Sequence, residues 1–205
     1  MTRKVTAAIV RRLTEADPDI EVTYRDLVVE NPPHLTLATL PGDHPLSAKT
    51  GALDTAAWAL RDESQRMLNE FLVADTVVLG VPMYNFAIST QLKAWIDRII
   101  VPGRTFVRTA NGPQGLAGDK RVIAAVVRGA FYGVETGASF TEHAETYMRT
   151  ALGFIGIDPE VIIAEGIAGG EESRAKAIAA ALDAVRQLDV RPAVSERRRL
   201  VGLEI

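Results

Sequence analysis

Residues 75–90 read "DTVVLGVPMYNFAIST". Val77, Val78, Leu79 and Val81 form a short, unbroken apolar run, which suits a strand covered on both faces, as in a parallel sheet. Pro82 stops the run. Ser89 is placed to cap a helix that follows at about 88–100, with Leu92, Trp95, Ile96, Ile99 and Ile100 turned inward. A doubly buried strand followed directly by an amphipathic helix is the repeating unit of an open α/β sheet.

The rest of the chain extends that unit. Helical spacing marks 3–16, about 53–73, about 140–152 and about 172–188. Strand patterns mark "IEVTYRDL" (20–27), "RVIAAVV" (121–127) and "EVIIAEG" (160–166). Alternation of strands with helices predicts parallel pairing and an α/β doubly wound sheet with helices on both faces, three layers in all. Residues 31–50 carry Pro32, Pro33, Pro41 and Pro45 and form a long loop, of the kind that is functional or mobile in a compact domain. Residues 1–188 read as a single domain. The tail 189–205 shows no clear periodicity, and its Arg197-Arg198-Arg199 run is expected to be solvated rather than a basic contact patch.

Composition narrows the chemistry. The chain has 205 residues, 47% apolar and 24% charged, so one domain with a real core is the default. A net charge of −3 gives no electrostatic case for nucleic acid or an anionic membrane. No cysteine is present, which excludes disulfides, thiol catalysis and thiolate metal sites. His34, His44 and His143 lack metal-ligand spacing, so no metal is expected. There is no phosphate-binding P-loop and no G-x-G-x-x-G pattern, and Ser139 lacks the second glycine of a nucleophile elbow. Glu171 and Glu172 fall at a helix start, where the helix dipole accounts for them. With no secretory signal and no apolar run of membrane-spanning length, a cytoplasmic protein is the expectation.

In open parallel sheets, ligands bind beyond the carboxyl ends of the strands. Two such loops stand out. In the first, Met83, Tyr84, Asn85 and Phe86 either pack into the core or wall a site for a flat heteroaromatic ligand, with Asn85 bonding its edge. In the second, "RGAFYG" (128–133), Gly129 permits close backbone approach, Arg128 supplies charge, and Phe131 and Tyr132 can wall a pocket; taken alone it reads better as an ordinary glycine turn.

"PMYNFAISTQLKAWID", the G-x-T-F at 103–106, "NGPQGL" (111–116), "LGFIGI" (152–157) and "AEGIAGG" (164–170) together resemble one family. It is the FMN-dependent NADH:quinone oxidoreductases, or NADH-azoreductases, of flavodoxin-like fold. The resemblance runs over roughly 3–188 and implies a homodimer with one FMN per site near the subunit interface. Met83, Tyr84, Asn85 and Phe86 match the segment lining the flavin ring, and Arg128, Gly129 and Ala130 match the loop at its other edge. It further implies NADH as electron donor and flat aromatic acceptors, quinones and azo compounds, exchanging at one site in ping-pong order. Asn85, Phe131 and Tyr132 are the implied substrate contacts. No side chain is an obligatory catalyst, and Tyr132 is the candidate proton donor.

The chain also departs from the family. Val127 stands where relatives carry serine, Ala130 where they carry glycine, and Arg108 where they commonly carry an aromatic residue. Arg104, Arg108 and Arg128 are each able to meet a phosphate, so NADH and NADPH are not separated. Above all, the strand and serine-rich loop that precede helix one in relatives are absent ahead of "MTRKVTAAIV", leaving only Thr2 and Arg3 near the expected phosphate position. That strand belongs between the strands at 20–24 and 75–81, in flavodoxin-like order. Without it, these neighbours are expected to stand roughly 10 Å apart and unpaired, twice the ordinary strand spacing. Two expectations follow: a misplaced start with about twenty residues upstream, or a short chain that binds FMN weakly or not at all. The alternative to the enzyme is a flavodoxin-like dimer that has lost its cofactor and serves as a binding module.

Overall fold

A computed structural model describes residues 1–47, 53–190 and 198–205. Helix α1 (Thr2–Ala16) comes first, then β1 (Glu21–Asp26), the single turn α2 (Leu27–Glu30) and α3 (Thr55–Val73). Next are β2 (Thr76–Pro82), α4 (Thr90–Ile99) and an antiparallel hairpin of β3 (Phe106–Thr109) and β4 (Gly112–Gly115). The chain continues through β5 (Arg121–Val127), α5 (Ala144–Phe154), β6 (Glu160–Ala164), α6 (Glu171–Gln187) and β7 (Arg199–Glu204).

The main sheet is parallel throughout, in the order β1-β7-β2-β5-β6. The expected gap is therefore filled, and it is filled from the far end of the chain. β7 pairs with β1 over all six of its residues, Glu21 opposite Arg199 to Asp26 opposite Glu204, and with β2 from Thr76 opposite Leu200 to Leu79 opposite Leu203. This corrects the reading of 189–205 as a solvated tail: Leu200 and Leu203 are fully buried in the innermost part of the sheet. Arg197 lies outside the described residues, as do 48–52 of the proline-rich loop. Arg198 pairs with the buried carboxylate of Asp17, and Asp75 receives the N–H of Arg199 at 2.9 Å while donating its own N–H to the Arg199 carbonyl at 2.9 Å. The strand thus enters the sheet pinned at its amino end.

Side-chain alternation explains why β7 fits. Val201 and Leu203 join the core under α3, α4 and α5, together with Val77, Leu79, Val81, Trp95 and Met148. Leu200 joins the opposite core, under α1 and α6, with Val5, Ile9, Val78 and Ala181. A slip of one residue would send each set to the wrong layer. Gly80 allows α1 to lie close, since a Cβ there would stand 2.9 Å from the Thr2 methyl and 3.2 Å from the Leu203 carbonyl; Gly202 leaves room for the Tyr24 ring of β1, which a Cβ would meet at 3.1 Å.

Four of the stretches that carry the family resemblance build scaffold. In the G-x-T-F segment, the fully buried Thr105 hydroxyl donates to the Ile99 carbonyl at 2.7 Å and accepts the Val101 N–H at 2.9 Å, closing the end of α4. "NGPQGL" presses onto "LGFIGI", since a Cβ at Gly115 would lie 2.1 Å from the backbone of Ile155. In "AEGIAGG", Gly166 has φ +79° and its carbonyl accepts the Ser173 hydroxyl at 2.6 Å, leading into α6. The proline-rich loop, over its described part, is held by two buried arginines: Arg98 donates to the Pro33 carbonyl at 2.7 Å and Arg61 to that of Ala38 at 3.3 Å.

Candidate functional site

The site is built at the carboxyl edge of the sheet, where β2 ends. The N–H of Met83 continues the ladder to the Val127 carbonyl at 2.9 Å. The chain then reverses: Tyr84 and Ala87 exchange backbone hydrogen bonds of 2.9 and 3.0 Å. The two residues between them have positive φ, +46° at Asn85 and +74° at Phe86. That is the pattern of a tight hairpin turn that normally carries Asn-Gly. Asn85 suits its position; Phe86 does not, and a bulky left-handed residue costs about 1–2 kcal/mol. Strain of this kind persists only where the surroundings enforce it. Here the Phe86 carbonyl accepts the His143 N–H at 2.9 Å, and Ser89 caps α4 through the Leu92 N–H at 3.2 Å. Met83 packs on the core, whereas Tyr84 and Phe86 remain 59% and 50% exposed. The turn therefore displays the aromatic surface of Tyr84 and Phe86 instead of burying it.

The second loop lies beside the first. Arg128 donates its N–H to the Ala164 carbonyl at 2.8 Å, and the carbonyls of Arg128, Gly129 and Ala130 accept from Ile167, Ala168 and Gly166 at 3.3, 2.9 and 3.2 Å. The N–H groups of Gly129 and Ala130 have no protein acceptor among the described residues. Nor does packing require a glycine at 129, where a Cβ would meet only Ala168 at 3.7 Å. A backbone left bare with free donors fits the edge of a flat ligand lying against it.

Arg128 itself is not where the sequence reading puts it. Its side chain is buried and turned toward α5 and the end of β6, paired with Glu145 and 3.7 and 3.5 Å from Glu142 and Glu165. Its charge is spent on protein carboxylates and not offered to a cofactor. Phe131 and Tyr132 each wall a cavity, but not the same one. The Phe131 ring lies over Gly166 and lines a cavity with Ile163 and Lys176. Tyr132 lines a second cavity with Arg128, Glu142 and Glu145, and its N–H donates to Glu165 at 3.3 Å. Both stand at the β6 end of the loop, because the loop's hydrogen bonds to 164–168 draw it that way. Arg104 pairs with Asp43, and Arg108 projects from the exposed side of the hairpin.

Glu142 fixes the start of α5. Its carboxylate accepts the N–H groups of Ala144, Glu145 and Thr146 at 3.0, 2.9 and 3.1 Å. Burial acts to raise its pKa, but those amides and the Arg128 charge outweigh it and hold the group below the usual glutamate range. The sequence does not mark Glu142 out, because it falls inside the helix predicted at about 140–152, whereas α5 begins at Ala144.

A third feature lies at the switch point between β7 and β2. The first turn of α1 reaches the carboxyl edge there, and the Arg3 guanidinium sits 2.7 Å from Asp26 and 4.0 Å from Glu204. Arg3 is thus engaged by protein carboxylates, which leaves the first-turn amides of the helix as the groups able to receive a phosphate. The residues present thus fit the three parts of a flavin nucleotide: aromatic turn, bare loop backbone and anion-accepting helix start. Among the described residues no cluster of side chains is arranged to hold a metal ion.

An open parallel sheet in flavodoxin order, with a strained aromatic turn at its switch point, defines a nucleotide-cofactor fold. The model of the family described as "Flavodoxin-like fold" matches residues 1–188, and the chain belongs to that family. It is 62% identical over 188 residues to an FMN-dependent NADH:quinone oxidoreductase of Methylobacterium radiotolerans, a match covering 92% of each chain. It is 53% identical over 191 residues to a protein of the same name from Gluconacetobacter diazotrophicus, covering 93% of this chain and 92% of that one. Among solved structures, the azoreductase AzrA superposes with a TM-score of 0.79 at 30% identity, over 91% of this chain and 89% of that one. β7 lies beyond the stretch that the family model matches.

Proposed function

We propose that this chain is an FMN-dependent oxidoreductase that passes two electrons from NADH to quinones and reductively cleaves aromatic azo compounds. FMN, when bound, supplies the redox chemistry, accepting a hydride from NADH and returning two electrons to the acceptor. The protein's part is placement. Tyr84 and Phe86 offer flat apolar surface, and Asn85 offers an amide donor and acceptor to the ring edge. The N–H groups of Gly129 and Ala130 would meet the opposite edge, and the first-turn amides of α1 would receive the phosphate. No side chain acts as an obligatory acid or base, and water supplies protons; Tyr132, drawn off toward β6, has no part in stacking.

The observation that carries this reading is the turn at 83–86, which holds a phenylalanine in left-handed backbone so that two aromatic side chains face outward. The two relatives at 53–62% identity, both named as FMN-dependent enzymes, support it, and nothing favours the cofactor-free binding module. We further assign a single flavodoxin-like domain whose sheet includes β7, a homodimeric state and a cytoplasmic location. Among the described residues no helix is long and apolar enough to cross a membrane.

The test is an FMN titration followed by flavin absorbance and fluorescence, then steady-state oxidation of NADH with a benzoquinone as acceptor. Stoichiometric binding and parallel double-reciprocal lines are expected, the latter because donor and acceptor alternate at one site. A chain that takes up no flavin would overturn the reading.

A further inference from the structure

Arg128 is the most deeply buried cation beside the site, 4% exposed, and its surroundings link both ligand-facing loops. It directly follows Val127, whose carbonyl anchors Met83 at the root of the aromatic turn. Its guanidinium reaches Glu145 and lies 3.7 Å from Glu142. Glu142 in turn holds the first amides of α5. Between these two glutamates sits His143, whose N–H fixes the strained Phe86 at 2.9 Å. A closed circuit therefore runs from the turn to the end of β5, across Arg128 to the start of α5, and back to the turn.

We propose that Arg128 is a positioning residue: it keeps the loops at 83–87 and 128–132 in mutual register through the N-terminus of α5, without touching the flavin. This rests on the flavin reading above. Charge explains why an arginine is needed. Three carboxylates, Glu142, Glu145 and Glu165, converge on it from the start of α5 and the end of β6, and among the described residues the only other cation paired with any of them is Arg149, 2.9 Å from Glu145. Without Arg128 they would repel one another and release the start of α5. A lysine keeps the charge but is a single point, unable to span groups on two elements as a planar fork does. The buried Nε of Arg128 has no partner, so the side chain is held by its two terminal nitrogens alone.

Arg128→Lys tests this, with Arg121→Lys as control. Arg121 makes a two-pronged pair with Glu160, at 2.6 and 3.0 Å, between the same two strands but at their amino ends. FMN affinity, the visible spectrum of bound flavin and the melting temperature are measured for the wild type and each variant. Arg128→Lys is expected to weaken FMN binding roughly ten- to hundredfold, the scale seen when a residue supporting a binding group is lost, and to alter the bound spectrum. Arg121→Lys should lower the melting temperature yet leave affinity and spectrum unchanged. If Arg128→Lys does not fold, Glu145→Gln, which removes one side of the clamp, should shift affinity and spectrum in the same direction. Wild-type affinity and spectrum in the folded Arg128 or Glu145 variant would overturn the proposal, as would flavin loss that merely tracks melting temperature in both arginine variants. A wild-type chain that binds no FMN would overturn the functional reading, and the proposal with it.

Discussion

Phe86 shows how one residue can serve function against local preference. Its φ of +74° is a region where glycine is at ease and phenylalanine is not. Replacing it with glycine should relieve the strain, stabilising the fold by up to about 1 kcal/mol, while flavin affinity falls because half of the exposed aromatic surface is gone. Urea midpoints and a flavin titration on Phe86→Gly check both halves of that trade. The residue types at 83–86 were legible as a candidate site, since large apolar groups and an asparagine at a strand end have few other uses. The backbone strain was not, because it depends on the His143 contact from a segment more than fifty residues away in the chain. Arg128 was misread for a similar reason. Its charge is visible in sequence, but the three carboxylates that engage it come from elements whose approach only the fold determines.

At the level of elements, the alternation of strand and helix was plain, and so was the vacancy between β1 and β2. Its occupant was not. β7 is short, interrupted by Gly202, and flanked by Arg199 and Glu204, so no local pattern distinguishes it from a solvated tail. The β3–β4 hairpin was also passed over, although Gly112, with φ +106°, directly after the two turn residues Ala110 and Asn111, is a residue that marks such turns. Leu203→Asp tests the inner strand. Leu203 is fully buried between two neighbours, and an unpaired carboxylate there should cost more than about 3 kcal/mol. Circular dichroism during thermal unfolding should show a lost or greatly lowered cooperative transition. A wild-type melt would mean that β7 does not occupy the sheet in solution.

Across the whole molecule, stability should decline on the acid side through Glu142. Its pKa is lower in the folded state than in the unfolded chain, so its contribution is complete above the ordinary glutamate value. It is lost as pH falls through the depressed folded value. Glu142→Gln should therefore be less stable than wild type near neutrality, and the gap should narrow in acid, as read from urea midpoints across that range. The same group caps α5 and pairs with the cation at the site, so flavin retention and acid stability are expected to fade together.

The position of β7 also bears on the order in which the protein comes into being. The sheet's inner strand is made after the other four strands of the sheet, and its partners, β1 and β2, are made long before it. Until residues 199–204 emerge, two nascent strands each present a bare edge, the surface through which unfinished chains join one another. Assembly of this sheet waits on contacts between residues more than 120 apart, and pairings so distant in sequence form slowly. Refolding from urea, followed by pulsed hydrogen exchange, should protect β5 and β6 before β1. A cell making this protein quickly should find its yield limited by chaperone supply rather than by the stability of the finished fold.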